Sequence, residues 1–135
     1  MIEGLSHITL VVQDLKKTSS IFTKILDAEE VYASGDTQYS LSQEKFFLVG
    51  GVWIAIMKGQ PLSDKTYNHI AFKIPHNEID NYAKRIEALN LHVRMDRNRV
   101  SGEGCSLYFH DYDNHLFELH TGTLKERLTA YAKDD

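Results

Sequence analysis

Two stretches of this chain carry the same pattern. Ser6-His7-Ile8-Thr9-Leu10-Val11-Val12 and Asn68-His69-Ile70-Ala71-Phe72-Lys73-Ile74 each run from a polar residue through a histidine into a strand-forming segment. A helix start signal follows both. Asp14 is placed to cap a helix with apolar positions at Leu15, Ile21, Phe22, Ile25 and Leu26. Asn77 is placed to cap one with Ile79, Tyr82, Ala83, Ile86 and Leu89. Both sets fall near a 3.6-residue period and give one buried face.

Short strand candidates come next in each half. The first half offers 29–32, 38–41, 46–49 and 52–57, with Gly50-Gly51 as a hairpin signal between the last two. The second offers 92–95, 105–110 and 116–120, with Asp113-Asn114 in the final turn. The expected class is therefore α+β, with two tandem βαβββ modules. A single module leaves one sheet face bare, because its only helix covers the other. Two sheets curved into one cupped mixed sheet solve that problem. At 135 residues this makes one domain over 1–135. Module one occupies 1–58, a Gly-, Pro- and Ser-containing linker 59–66, module two 67–123 and a helical tail 124–135.

Charge and composition exclude several classes of function. A net charge of -4 argues against nucleic-acid binding, which favours clustered Lys and Arg. The one basic cluster, Arg94, Arg97 and Arg99, suits a local anion site or three solvated loop residues. No apolar run approaches the roughly 20 residues of a membrane span. Glu3 precedes the first apolar run without a basic region, so no signal peptide is expected. The single cysteine, Cys105, leaves no internal disulfide, and cytoplasm is the expected compartment.

Three polar residues stand where their neighbours predict sheet. His7 and His69 open equivalent strands, and Glu118 interrupts Leu116-Phe117-Glu118-Leu119, pointing away from Phe117 and Leu119. An ionised carboxylate in such a place needs a cation or several donors. Two imidazoles and a carboxylate around an open cavity suit a divalent ion with free positions for substrate oxygen. Two hydrogen-bonded core histidines with an edge-strand glutamate are the alternative.

The doubled module, with Ser6-His7-Ile8-Thr9-Leu10 at its start and the 109–120 stretch as closing hairpin, resembles the vicinal oxygen chelate superfamily of glyoxalases, bleomycin-resistance proteins and dioxygenases. Tyr108-Phe109, Glu118-Leu119-His120 and Gly122-Thr123-Leu124 followed by Arg127 resemble its fosfomycin-resistance proteins. The resemblance implies that His7, His69 and Glu118 are metal ligands and that the ion is a divalent metal, Mn(II) in the first instance. It also implies a homodimer in which His7 of one chain shares its ion with His69 and Glu118 of the other. Three chemistries occur in that family: glutathione addition, addition of another small thiol, and hydration of the epoxide.

Glu44, in Ser42-Gln43-Glu44-Lys45-Phe46-Phe47, lies where the hydrolytic FosX-type members are expected to carry a carboxylate base. Read alone it is a solvated turn residue. Thr9 stands where certain thiol-transferring relatives have cysteine, and the 97–104 loop does not reproduce the cation-binding loop of the glutathione-using relatives. The implied activity is hydrolysis of fosfomycin to its diol, with Glu44 as base. Thr9, Ser106, Tyr108 and Arg127 are candidate phosphonate contacts, with Arg94 and Arg99 behind them. His120 shares the strand face of Glu118, which gives it a route to the ligand. Trp53 reads as core or cavity wall.

The alternatives are a metal-dependent thiol transferase on the same antibiotic and a non-catalytic drug-binding protein of the same fold. A glyoxalase-like isomerase would want a further ligand within Trp53-Ile54-Ala55-Ile56-Met57, which has no carboxylate or imidazole.

Overall fold

The computed structural model describes residues 1–36, 41–96 and 104–134. It divides into two compact units, the first of Met1–Asp64 with Tyr112–Asn114 and the second of Lys65–Asp111 with His115–Asp135. The boundary falls between Asp64 and Lys65. The 112–114 turn, expected with the second module, joins the first unit through a set of polar contacts. Asp113 accepts from the Gln13 amide at 3.0 Å, and its carbonyl accepts from Leu62 at 3.2 Å. Asn114 donates to the Leu62 carbonyl at 2.7 Å, and Lys17 lies 4.0 Å from the centre of the Tyr112 ring.

Each unit is a βαβββ module, and the two share one connectivity. In the first, β1 (His7–Val12), α1 (Leu15–Lys24), β2 (Glu29–Ala33), β3 (Glu44–Val49) and β4 (Val52–Lys58) form a sheet in the order β1-β4-β3-β2. In the second, β5 (His69–Lys73), α2 (Ile79–Ala88), β6 (Arg94–Asp96), β7 (Ser106–His110) and β8 (Leu116–His120) form the order β5-β8-β7-β6. The first and last strands of each module pair in parallel, and the remaining pairs are antiparallel. A closing helix, α3, spans Leu124–Asp134. Among the described residues no helix is long and apolar enough to cross a membrane.

Strand alternation sends one face of each sheet to its helix. In the first unit Leu10, Val12, Phe47, Val49, Ile54 and Ile56 are buried with Ile21 and Phe22 of α1 and with Ile25, which caps its C-terminus. The Phe22 and Phe47 rings stack at 4.8 Å. In the second, Leu107, Phe109, Phe117 and Leu119 are buried with Ile86 of α2. The opposite faces carry the polar residues singled out in the sequence.

Turn chemistry follows the sequence. Gly50 and Gly51 both have positive φ, 54° and 83°, as a two-residue type I′ hairpin demands. Asp14 caps α1 by accepting from the Lys17 amide at 3.0 Å. The expected Asn77 cap is not formed. Pro75, at φ -64°, leads instead into a short 3₁₀ turn, His76–Glu78, which holds Asn77 and delays α2 to Ile79. Most of the strand expected over 38–41 lies outside the described residues.

Gly104, just before β7, has φ +100°, and a Cβ there would meet the Gly122 backbone nitrogen at 2.8 Å. Both the dihedral and the close approach require glycine. Gly104→Ala is therefore expected to lower stability by about 2 kcal/mol or more in denaturant unfolding. A loss under about 0.5 kcal/mol would show that the two strand-end segments separate freely.

Candidate metal and substrate site

The polar face of the second unit is built in rows set by strand register. His69, Leu116 and His110 share one row, Ala71, Glu118, Tyr108 and Arg94 the next, and Lys73, His120, Ser106 and Asp96 the third. Glu118 is therefore placed among polar side chains although its whole strand is buried. One carboxylate oxygen, Oε1, lies 2.9 Å from His69 Nε2, and the other, Oε2, accepts from the Ser106 hydroxyl at 2.6 Å. Ser106 Oγ is also 2.7 Å from His120 Nδ1, and His120 Nε2 is 3.2 Å from Arg127 Nη2.

Beside this line stand two tyrosines. Tyr67 OH and Tyr108 OH are 3.0 Å apart, and the Arg94 guanidinium lies 4.6 Å from the Tyr108 ring centre. Arg94 also pairs with Asp96 at 3.2 Å, an exposed contact of little energetic weight. Burial raises the Tyr108 pKa, helped by the Tyr67 hydrogen bond and the Glu118 charge, so the phenol keeps its proton. A cavity of about 390 Å³ opens here, lined by Lys65, Tyr67, His92, Arg94, Tyr108 and His110 among others. Burial, followed by the charge of Lys65, lowers the His110 pKa, and its Nε2 is buried without a partner among the described residues.

The first unit carries its own candidate residues on the sheet face away from α1. Register places His7, Trp53 and Leu48 in one row, Thr9, Ala55 and Phe46 in the next, and Val11, Met57 and Glu44 in the third. His7 is exposed and stacks on Trp53 at 4.1 Å, with its Nδ1 3.0 Å from Ser6 Oγ. Thr9 is exposed as well. Glu44 is 8% exposed. It opens β3, where its amide donates to Ser34 Oγ and its carbonyl accepts from the Ser34 amide, both at 3.0 Å. Among the described residues no donor is paired with its carboxylate. It sits diagonally across the face from His7, two strands over and four residues along.

The donor chemistry of the second unit fits a metal. His69 Nδ1 is 2.7 Å from the Tyr67 carbonyl, which can only accept, so Nδ1 carries the ring proton. That leaves Nε2 as the ring nitrogen able to bind a metal, and it stands beside a carboxylate oxygen. Two donors bound at about 2.1 Å and at right angles lie roughly 3 Å apart, which is the separation found. Among the described residues no group of three or more His, Cys, Asp and Glu side chains gathers in one chain.

Of the residues singled out in the sequence, the second unit brings together His69, Glu118, Ser106, Tyr108, Arg94 and Arg127. The first sets His7, Thr9 and Glu44 on one face. Arg99 lies outside the described residues. Ser106, expected to donate to a phosphonate, has its single proton engaged by Glu118. Tyr67 was not anticipated; its only sequence signal is its position two residues before His69, the place from which a carbonyl can orient an imidazole.

A family model described as the Glyoxalase/Bleomycin resistance protein/Dioxygenase superfamily matches residues 4–119. The chain is 59% identical over 133 residues to the fosfomycin resistance protein FosX of Listeria innocua, covering 98% of this chain and 100% of that one. A crystal structure of a mutant of FosX from Listeria monocytogenes, complexed with Mn(II) and 1S,2S-dihydroxypropylphosphonic acid, matches with a TM-score of 0.88. It is 56% identical and the match covers 97% of this chain and 99% of that one. The metallothiol transferase FosB of Staphylococcus saprophyticus is more distant, at 32% over 138 residues, covering 99% of this chain and 87% of the relative. The chain belongs to the glyoxalase/bleomycin resistance protein/dioxygenase superfamily and, within it, to the FosX fosfomycin resistance proteins.

Proposed function

We propose that this protein is a Mn(II)-dependent epoxide hydrolase that opens fosfomycin by adding water, giving the diol and conferring resistance in the cytoplasm. The observation that carries the hydrolytic assignment is Glu44. The residue is 8% exposed, its carboxylate has no donor partner among the described residues, and it shares a sheet face with His7 and Thr9. A carboxylate kept there without a partner suits a proton acceptor and repels an incoming thiolate. The diol bound in the Listeria monocytogenes FosX structure is the product that such a reaction makes.

His69 and Glu118 hold the metal with His7 of the partner subunit, in a homodimer. A bound divalent ion supplies Lewis acidity toward the oxirane oxygen. Tyr108 donates to the phosphonate, with Thr9 and Arg127 as further donors. Arg94 and Lys65 make the cavity wall basic. Glu44 takes a proton from a water aligned with the ring carbon nearest phosphorus. The new carbon–oxygen bond forms as the ring carbon–oxygen bond breaks, and the freed oxygen takes up a proton to complete the diol.

Phosphorus NMR of the protein with fosfomycin tests this directly. A diol signal that requires Mn(II) and ignores added glutathione or cysteine is the expected result. A thiol adduct in its place would move the enzyme to the transferase class, and no turnover would favour drug binding without chemistry.

A further inference from the structure

The line of polar groups behind Glu118 is directed, and Arg127 sets the direction. A guanidinium has donors only, so His120 Nε2, 3.2 Å from Arg127 Nη2, accepts. A neutral imidazole that accepts at Nε2 carries its proton on Nδ1, which donates to Ser106 Oγ at 2.7 Å. The serine proton is then directed at Glu118 Oε2, 2.6 Å away. Ser106, Glu118 and His120 are all buried, at 7%, 5% and 9% exposure, so water does not compete freely for these bonds. Reversing any link would set two donors or two acceptors face to face.

We infer that His120 is a positioning residue for the metal-binding carboxylate. Acting through Ser106, it occupies Oε2 and holds the Glu118 side chain in one orientation, leaving Oε1 beside His69 Nε2 for the ion. Arg127 stabilises the tautomer that makes this work, and its remaining N–H groups stay available to an anion. Substrate binding at Arg127 and the set of the metal ligand are thereby joined through three hydrogen bonds. The inference rests on the reading of His69 and Glu118 as ligands.

The test is Mn(II) affinity, read from the electron paramagnetic resonance signal of the free ion in titrations of the full-length protein without substrate. An Asn amide nitrogen reaches the position of Nδ1, whereas that of Gln reaches only the position of Nε2. His120→Asn should therefore bind Mn(II) within about threefold of the unsubstituted protein. His120→Gln and Ser106→Ala should each bind about 10- to 100-fold more weakly. His120 Nδ1 is itself 3.4 Å from Glu118 Oε2, beyond a good hydrogen bond, so the links act in series and the double variant should bind no more weakly than Ser106→Ala alone.

Equal affinity of His120→Gln and the unsubstituted protein, or losses that multiply in the double variant, would overturn the inference. Should His120→Gln fail to fold, Ser106→Thr against Ser106→Ala decides the matter. Threonine keeps the hydroxyl and should keep the affinity, and equal binding by the two would again overturn it. Failure of the unsubstituted protein to bind Mn(II) is a separate result, which would remove the metal reading itself.

Discussion

Replacing Glu44 with Gln or Gly is expected to lower diol formation about 10²- to 10⁴-fold while leaving Mn(II) affinity within about threefold. The physical basis is the contrast between the residue's surroundings and its charge. Glu44 sits at 8% exposure beside Met57 in the register and has no donor partner among the described residues, so its charge gains no pairing energy from the fold. Gln keeps the shape and removes the charge without being able to accept the proton. The Gln variant should therefore melt at the same temperature or higher while losing hydrolysis. Gly tests the same loss with the whole side chain gone. Retained hydrolysis in either would remove Glu44 from the role of base and direct attention to the cavity around Tyr108.

Glu118→Ala should weaken Mn(II) binding by more than about 100-fold, beyond the effect usual for a residue that only supports a ligand, and abolish turnover at micromolar metal. It removes the carboxylate placed against His69 Nε2 and leaves the Ser106 hydroxyl proton without its acceptor in a buried position. Excess Mn(II) should restore part of the activity if the residue is a ligand. No change in affinity would reduce the His69–Glu118 contact to a structural ion pair. The shared-site arrangement adds a test by mixing. His7→Ala and His69→Ala are each expected to be inactive, but their subunits combined at random should recover about a quarter of full activity. Half the dimers would be mixed, and each would hold one complete site. No recovery after verified exchange would place all three ligands in one chain.

Much of the fold was legible because its signals are local and doubled. The His-opened strands, the 3.6-residue apolar spacing of both helices, the Asp14 cap and the Gly50-Gly51 turn each depend on a few neighbouring residues. Having the pattern twice made each half a check on the other. Local signals failed where a neighbour intervened, as Pro75 did by drawing Asn77 into a 3₁₀ turn. The 112–114 turn was assigned to the wrong unit because its hydrogen bonds reach Gln13 and Leu62, far away in sequence.

By itself, then, the chain's order of residues determined the two βαβββ modules and the polar positions His7, His69 and Glu118, since period and turn chemistry act over a few residues. Its resemblance to a family supplied the expected role of Glu44, which its polar neighbours Ser42, Gln43 and Lys45 disguise as a turn residue. Only the tertiary structure buried Glu44, by pairing β3 with Met57 on one side and tying its backbone to Ser34. Only it could join Arg127, His120, Ser106 and Glu118 into one directed line. The direction of a hydrogen bond depends on which groups meet, and β7, β8 and α3 bring these four together from separate places along the chain.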